Sequence, residues 1–273
     1  MRTMQATGHG AGPLPRTRQH LWLAWVLARR DLHGRYRGAV LGLLWALLTP
    51  MLMLGVYLLA FGPLLRARWP GVDSWQAFAL MVFSGLAVHG LFAECLVRAP
   101  ALVVERAGYA TKVVFPLDIL PWPALATALF HFCMQLLVLL AGVLWLRGGL
   151  PPTVLALPLV LLACVPLLLG VLWALGALGV FLRDIAQLVA PLVTVLLFLS
   201  SALVPLDVLP ARYRWLFELN PLTLIIEQLR RMLFFGLWPQ WSLLALYAGL
   251  ALLAGGAGYA LFRKLQPGFA DVL

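Results

Sequence analysis

The chain has 273 residues, of which 63% are apolar and 11% charged, with a mean hydropathy of +0.96 and a formal charge of +10. Soluble domains carry about 25% charged residues, so this composition excludes an ordinary soluble enzyme, a soluble body on one membrane anchor, and a disordered chain. The positive charge comes from Arg; the two Lys, Lys112 and Lys264, both lack the Gly-x-x-x-x-Gly-Lys-[Ser/Thr] context of a phosphate-binding loop, so the chain is not expected to bind ATP through one.

The first 20 residues lack the apolar core of a signal peptide, so targeting is expected to fall to the first membrane span. Residues 1–37 read as a cytoplasmic N-terminus containing an amphipathic interface helix. Trp22, Trp25, Val26 and Arg29 stand at i, i+3, i+4 and i+7, and Arg30, Arg35 and Arg37 follow. Two roles fit that arginine cluster: plain orientation of the chain, or a grip on an anionic lipid headgroup by bidentate guanidinium groups.

Residues 38–273 read as an all-α membrane region with six spans, near 39–62, 75–95, 119–146, 154–181, 187–204 and 240–262, since about 20 apolar residues cross a bilayer core. Pro50 is expected to kink the first span, whereas Pro121 and Pro123 open the third at little cost. Tyr57 and Phe61 in span 1, and Trp75 and Phe78 in span 2, lie at helical spacing; they suit either a sugar-lined path or the ordinary aromatic belt.

Between spans 2 and 3, Pro100 opens and Gly108 ends an expected short helix, with Leu102, Val103 and Arg106 on one side and Arg98, Glu105 and Lys112 around it. A docking element for another protein and an interfacial loop with snorkelling charges both fit. Between spans 5 and 6 the chain reads as a re-entrant hairpin of helices near 211–218 and 221–235. Asn220 caps the second, Pro221 takes its first position and Gly236 stops it; at about 22 Å it is too short to cross. Glu227 is expected to pair with Arg231, and Leu222, Ile225, Ile226 and Leu229 to form the apolar face.

Six spans place both termini on one side of the membrane. Of the 20 Arg and Lys, seven precede span 1; Arg98, Arg106, Lys112, Arg183, Arg263 and Lys264 share that side, which is therefore expected to be cytoplasmic. The ten acids are scattered, and the five His form no metal or acid–base spacing with them. A metal-dependent membrane enzyme and an ion-coupled carrier are disfavoured, and His89 and His131 read as hydrogen-bonded packing residues. Arginines set between apolar runs argue against nucleic acid as a partner.

Several segments carry a resemblance. RRDLHGRYRGAVLGLLWALLTP, KVVFPLDILP, VFLRDIAQL, LVPLDVLP with LNPL, and the closing FRKLQPGFADVL resemble, in this order, the permease subunits of ABC-2 type ATP-binding cassette exporters, in the branch that moves lipid-linked O-antigen, capsule and similar polysaccharides. The resemblance implies a half-transporter of the inner membrane. Two copies would enclose a channel, and two separate ATPase subunits would hold ATP and Mg and dock below. It also implies a coupling helix near 101–109, involving Val103, Val104, Glu105, Arg106, Tyr109 and Lys112, and an outer gate at the hairpin with Asn220, Pro221, Glu227 and Arg231. A drug or small-lipid exporter of the same architecture is the alternative.

Overall fold

A computed structural model describes residues 16–64, 74–106 and 116–273, and these are all helix, turn or irregular chain, with no strand among them. The helices are α1 (Arg16–Tyr36), α2 (Trp45–Leu59), α3 (Trp75–Arg98), α4 (Pro121–Arg147), α5 (Leu157–Phe181), α6 (Ile185–Phe198), α7 (Ala211–Glu218), α8 (Pro221–Phe235), α9 (Trp241–Leu265) and the short α10 (Phe269–Val272). Five segments are long and apolar enough to cross a membrane: Gly42–Gly62, Trp75–Ala101, Leu117–Arg147, Pro152–Phe181 and Trp241–Val272. The fifth expected span ends early. Its helix, α6, has 14 residues, about 21 Å, and the chain turns at Leu199–Leu203 instead of continuing to 204.

The reason for that early stop lies in the hairpin. The last carbonyls of a helix have no partner within it, and the Asn220 side-chain amide donates to Leu196 O at 2.8 Å and Leu199 O at 3.0 Å. Its Oδ1 accepts from the Leu222 amide, so one side chain closes α6 and caps α8. The C-terminal carbonyls of α8 are satisfied in turn: Arg147 donates to Leu233 O, Thr153 to Met232 O, and Gly236 turns left-handed at φ 64°.

Most of α3 is buried, and it packs against α2, α4, α5, α6 and α8. The pair α5 and α9 is held by close backbone approach, since water does not drive helix association inside a bilayer and small residues let dispersion do so. A Cβ at Gly258 would strike Gly170, and one at Gly255 would meet Pro166 O at 2.6 Å. Pro50 lies inside α2 without ending it. The expected hairpin helices appear at 211–218 and 221–235, with Leu222, Ile225, Ile226 and Leu229 buried. The expected Glu227–Arg231 pair is not formed: Glu227 accepts from Arg230 at 3.3 Å, and Arg231 Nε donates to Trp238 O. The turn after α8 carries that carbonyl to Arg231, while the buried Arg230 draws the carboxylate inward.

Candidate functional site

One end of the bundle gathers the arginines that the sequence scatters. Helix α1 lies against α4 with Trp22 and Trp25 turned outward, 65% and 67% exposed, and Leu27 and Ala28 buried. Outward Trp beside exposed Arg29 and Arg30 is the arrangement of a helix at headgroup depth. Beneath it Glu94, on the last turns of α3, is a hub. It accepts from Arg35 at 2.8 Å, pairs with Arg98 at 3.8 Å, and accepts from His131 of α4 at 2.8 Å. The other ring nitrogen of His131 lies 3.0 Å from the Tyr36 hydroxyl. A carboxylate only accepts, so His131 Nδ1 donates to Glu94; with the ring neutral, Nε2 accepts from Tyr36. Burial pushes the Tyr36 hydroxyl above its ordinary range, which keeps it a donor.

The segment after α3 is tied to the same helix. Arg106 donates to Asp31 of α1 at 2.6 Å. The backbone at Ala99–Ala101 presses on α5, where a Cβ at Gly179 would collide with Pro100 and one at Gly176 would meet Ala99 O at 3.4 Å. The expected helix at 101–109 begins as two short 3₁₀ turns, Ala99–Ala101 and Val104–Arg106; Tyr109 and Lys112 lie outside the described residues. Val103 is 1% exposed and packs with Leu117, Leu120, Phe262 and Phe269, whereas Val104 and Glu105 face outward. The apolar surface available to a partner here is therefore that of Val104, not Val103.

Between α1 and this segment lies a cavity of about 740 Å³ lined by Arg30, Arg35, Arg37, Arg98 and Arg106, with Asp31 and Glu105 as counter-charges. Arg106 Nη1 is buried without a hydrogen-bond partner among the described residues. Such an arrangement can bind an anion with several oxygens, because guanidinium forks match phosphate geometry. Among the described residues no three His, Cys, Asp or Glu are placed to hold a metal.

Tyr57, Phe61 and Phe78 come together elsewhere: the Phe61 ring lies 5.1 Å from Phe78 and 6.3 Å from Tyr57, which also meets Phe83. Trp75 packs on Gly62 nearby, and Tyr57, Phe61 and Phe78 form an aromatic cluster where α2 and the turn after it meet α3. At the hairpin end, Arg230 is 2% exposed and donates to Met81 O, Ser201 O and Ala202 O at 2.6 to 3.2 Å as well as to Glu227. His89 is hydrogen-bonded to Val193 O at 3.1 Å. Sequence reasoning missed the joint roles of Asp31, Glu94 and His131 at the basic end. A carboxylate four residues before Arg98 in an apolar span was the available signal, since an acid there needs partners.

The chain is similar along nearly its whole length to known proteins. The family described as "ABC-2 type transporter" matches residues 23–234. The O-antigen export system permease protein RfbA of Myxococcus xanthus is 28% identical over 257 residues, covering 93% of this chain and 96% of that protein. The protein of the same name from Klebsiella pneumoniae is 25% identical over 91% of this chain and 93% of its own length. The polysialic acid transport protein KpsM of Escherichia coli is 25% identical over 88% of this chain and 92% of its length.

Proposed function

The chain belongs to the ABC-2 type transporter family, and from that premise we propose that it is the permease subunit of an ATP-driven exporter moving a lipid-linked polysaccharide across the inner membrane. The observation that carries this reading is the end-to-end similarity to permeases named for O-antigen export and polysialic acid transport. Two copies enclose the path, both termini are cytoplasmic, and ATP is hydrolysed by two separate subunits that dock on the cytoplasmic side.

The basic cavity supports the same reading, because a carrier lipid joins its glycan through phosphate or pyrophosphate. In the proposed orientation the cavity opens at the cytoplasmic headgroup layer, where Arg30, Arg35 and Arg37 receive the anion and the unsatisfied Arg106 Nη1 supplies a further donor. Binding an anion there competes with Asp31 for Arg106 and with Glu94 for Arg35. The segment that bears Val104, Glu105 and Arg106 is thereby the element through which an ATPase partner senses and moves the bundle, with Val104 and Glu105 as the exposed contact.

Deleting the gene and restoring it tests the function: surface polysaccharide should vanish and lipid-linked glycan accumulate inside, both reversed by the restored gene. Unaltered surface glycan, with efflux of a small amphiphile lost instead, overturns the proposal. Orientation is tested with single cysteines, position 106 reacting only from the cytoplasmic side and position 212 only from outside.

A further inference from the structure

A groove of about 440 Å³ runs between the first halves of α5 and α9, and its lining is apolar almost throughout. We propose that it is a binding site for one acyl chain of a phospholipid, drawn from the leaflet at the hairpin end; nothing in this assignment depends on what the chain exports.

The groove follows from how the two helices meet. Both start at the hairpin end, where Thr153, just before α5, donates to Met232 O of α8. Deeper in the bundle they touch backbone to backbone: a Cβ at Gly170 would meet Ala254 O at 2.7 Å, and one at Gly255 would meet Pro166 O. On the hairpin side of that crossing the facing stripes carry side chains that leave space between them. Leu159, Leu162, Ala163 and Pro166 stand at i, i+3, i+4 and i+7 on α5, and the opposite wall follows α9 from Trp241 to Leu252. Pro166, whose carbonyl meets Gly255, closes the deep end.

Both walls belong to segments long and apolar enough to cross a membrane, Pro152–Phe181 and Trp241–Val272. From Trp241 to Leu252 the groove is about 16 Å long, half of a hydrocarbon core and so one leaflet deep. Spread over that length, its volume leaves a channel about 5 Å across, half the width of a helix with its side chains, so a helix of a second copy does not fit inside. Water does not fill it either, because Trp241 carries the only hydrogen-bonding group among the described lining side chains and a buried water needs about two to four polar partners. Left empty, it would forfeit dispersion contacts along both walls. A flexible apolar chain of the bilayer itself meets every one of these conditions. Leu159, Leu162 and Leu252 are more than half exposed and form the rims, while Ala163 and Leu244 are buried at the floor, so the occupant lies between the helices instead of passing over them. Exposed Trp241 stands at the mouth, where an indole suits headgroup depth.

The test is native mass spectrometry of the full chain released from nanodiscs of palmitoyl-oleoyl phosphatidylethanolamine. The wild type should keep one phospholipid per chain at a collision energy that strips the others. Ala245→Phe/Ala248→Phe fills the groove and should lose that lipid without a fall in melting temperature; if the double variant does not fold, Ala248→Leu, a smaller filling, decides by the same loss. Leu253→Phe, on an exposed part of α9 outside the groove, should keep the lipid. Retention unchanged in the filled variants, or lost equally in Leu253→Phe, overturns the site. A retained mass that is a polyprenyl phosphate overturns the phospholipid as occupant, and a wild-type dimer that becomes a monomer on filling the groove overturns it in favour of a second copy.

Discussion

The two ends of the bundle hold their arginines by opposite means, one of them buried at the hairpin end and three partly exposed at the basic end. At the hairpin end Arg230 donates to three backbone carbonyls, of Met81, Ser201 and Ala202, with Glu227 alongside. Met81 O, in the second turn of α3, also accepts from the Ser84 hydroxyl at 2.7 Å, and Ser201 and Ala202 lie in the turn after α6; all three are fixed backbone groups, so the guanidinium is committed. At the basic end Arg35, Arg98 and Arg106 rest on the carboxylates of Glu94 and Asp31, which are partly exposed. A carboxylate can be replaced by another anion at small net cost, because both states are charge-paired. The comparison teaches that burial of arginine does not by itself mark a ligand site: what matters is whether the partner is exchangeable.

The sharpest way to break the comparison is Arg230→Leu. The Ser201 and Ala202 carbonyls and the Glu227 carboxylate lose this donor together, and the expected loss is about 3–5 kcal/mol, seen as collapse of folded yield or a much lower melting temperature in nanodiscs. Arg231→Leu, its neighbour, should cost about 0.5 kcal/mol or less. Equal effects would mean that the hairpin is not held by Arg230.

Next comes the coupling segment. Val103→Asp places a charge in the cluster with Leu120 and Phe262 and should cost about 3 kcal/mol or more of stability. Val104→Asp should leave the melting temperature unchanged and weaken copurification with the ATPase subunits; if Val104→Asp copurifies normally while supporting export, this segment is not the docking element.

The basic end can be sharpened through Glu94→Gln. Removing the shared counter-charge should lower stability by about 1–2 kcal/mol and, because Arg35 and Arg98 are then uncompensated, raise the affinity of the chain for inorganic pyrophosphate measured by calorimetry. Arg30→Gln/Arg35→Gln/Arg37→Gln should lower that affinity about tenfold. Pyrophosphate binding that moves in the same direction in both variants would remove the headgroup assignment.

The smallest expected effect has the opposite sign. Thr223→Val and Tyr247→Phe each delete an unsatisfied buried hydroxyl and should raise stability by roughly 0.5–1 kcal/mol, read as a slightly higher melting temperature. A fall would show that these hydroxyls already hold a structural bond.

Much of this molecule is written in one dimension. Apolar runs of 20 or more residues bounded by charge dictate membrane helices, because the cost of an unsatisfied backbone in lipid leaves no alternative. The hairpin helices 211–218 and 221–235 were legible from Asn220, Pro221 and Gly236, since capping and proline geometry are local, and the family was legible from motifs in order. What depended on the third dimension were pairings between residues distant in sequence. Arg35 meets Glu94 across 59 positions and Tyr36 meets His131 across 95. Helix α6, the fifth expected span, stops at Phe198, where Asn220 takes its last carbonyls. Glu227 turns to Arg230 instead of Arg231 because burial, not helical spacing, selects the partner. Sequence periodicity specifies which face of a helix is apolar; it carries no information about which other helix that face meets, and every exchangeable ion pair and the basic cavity are consequences of that meeting.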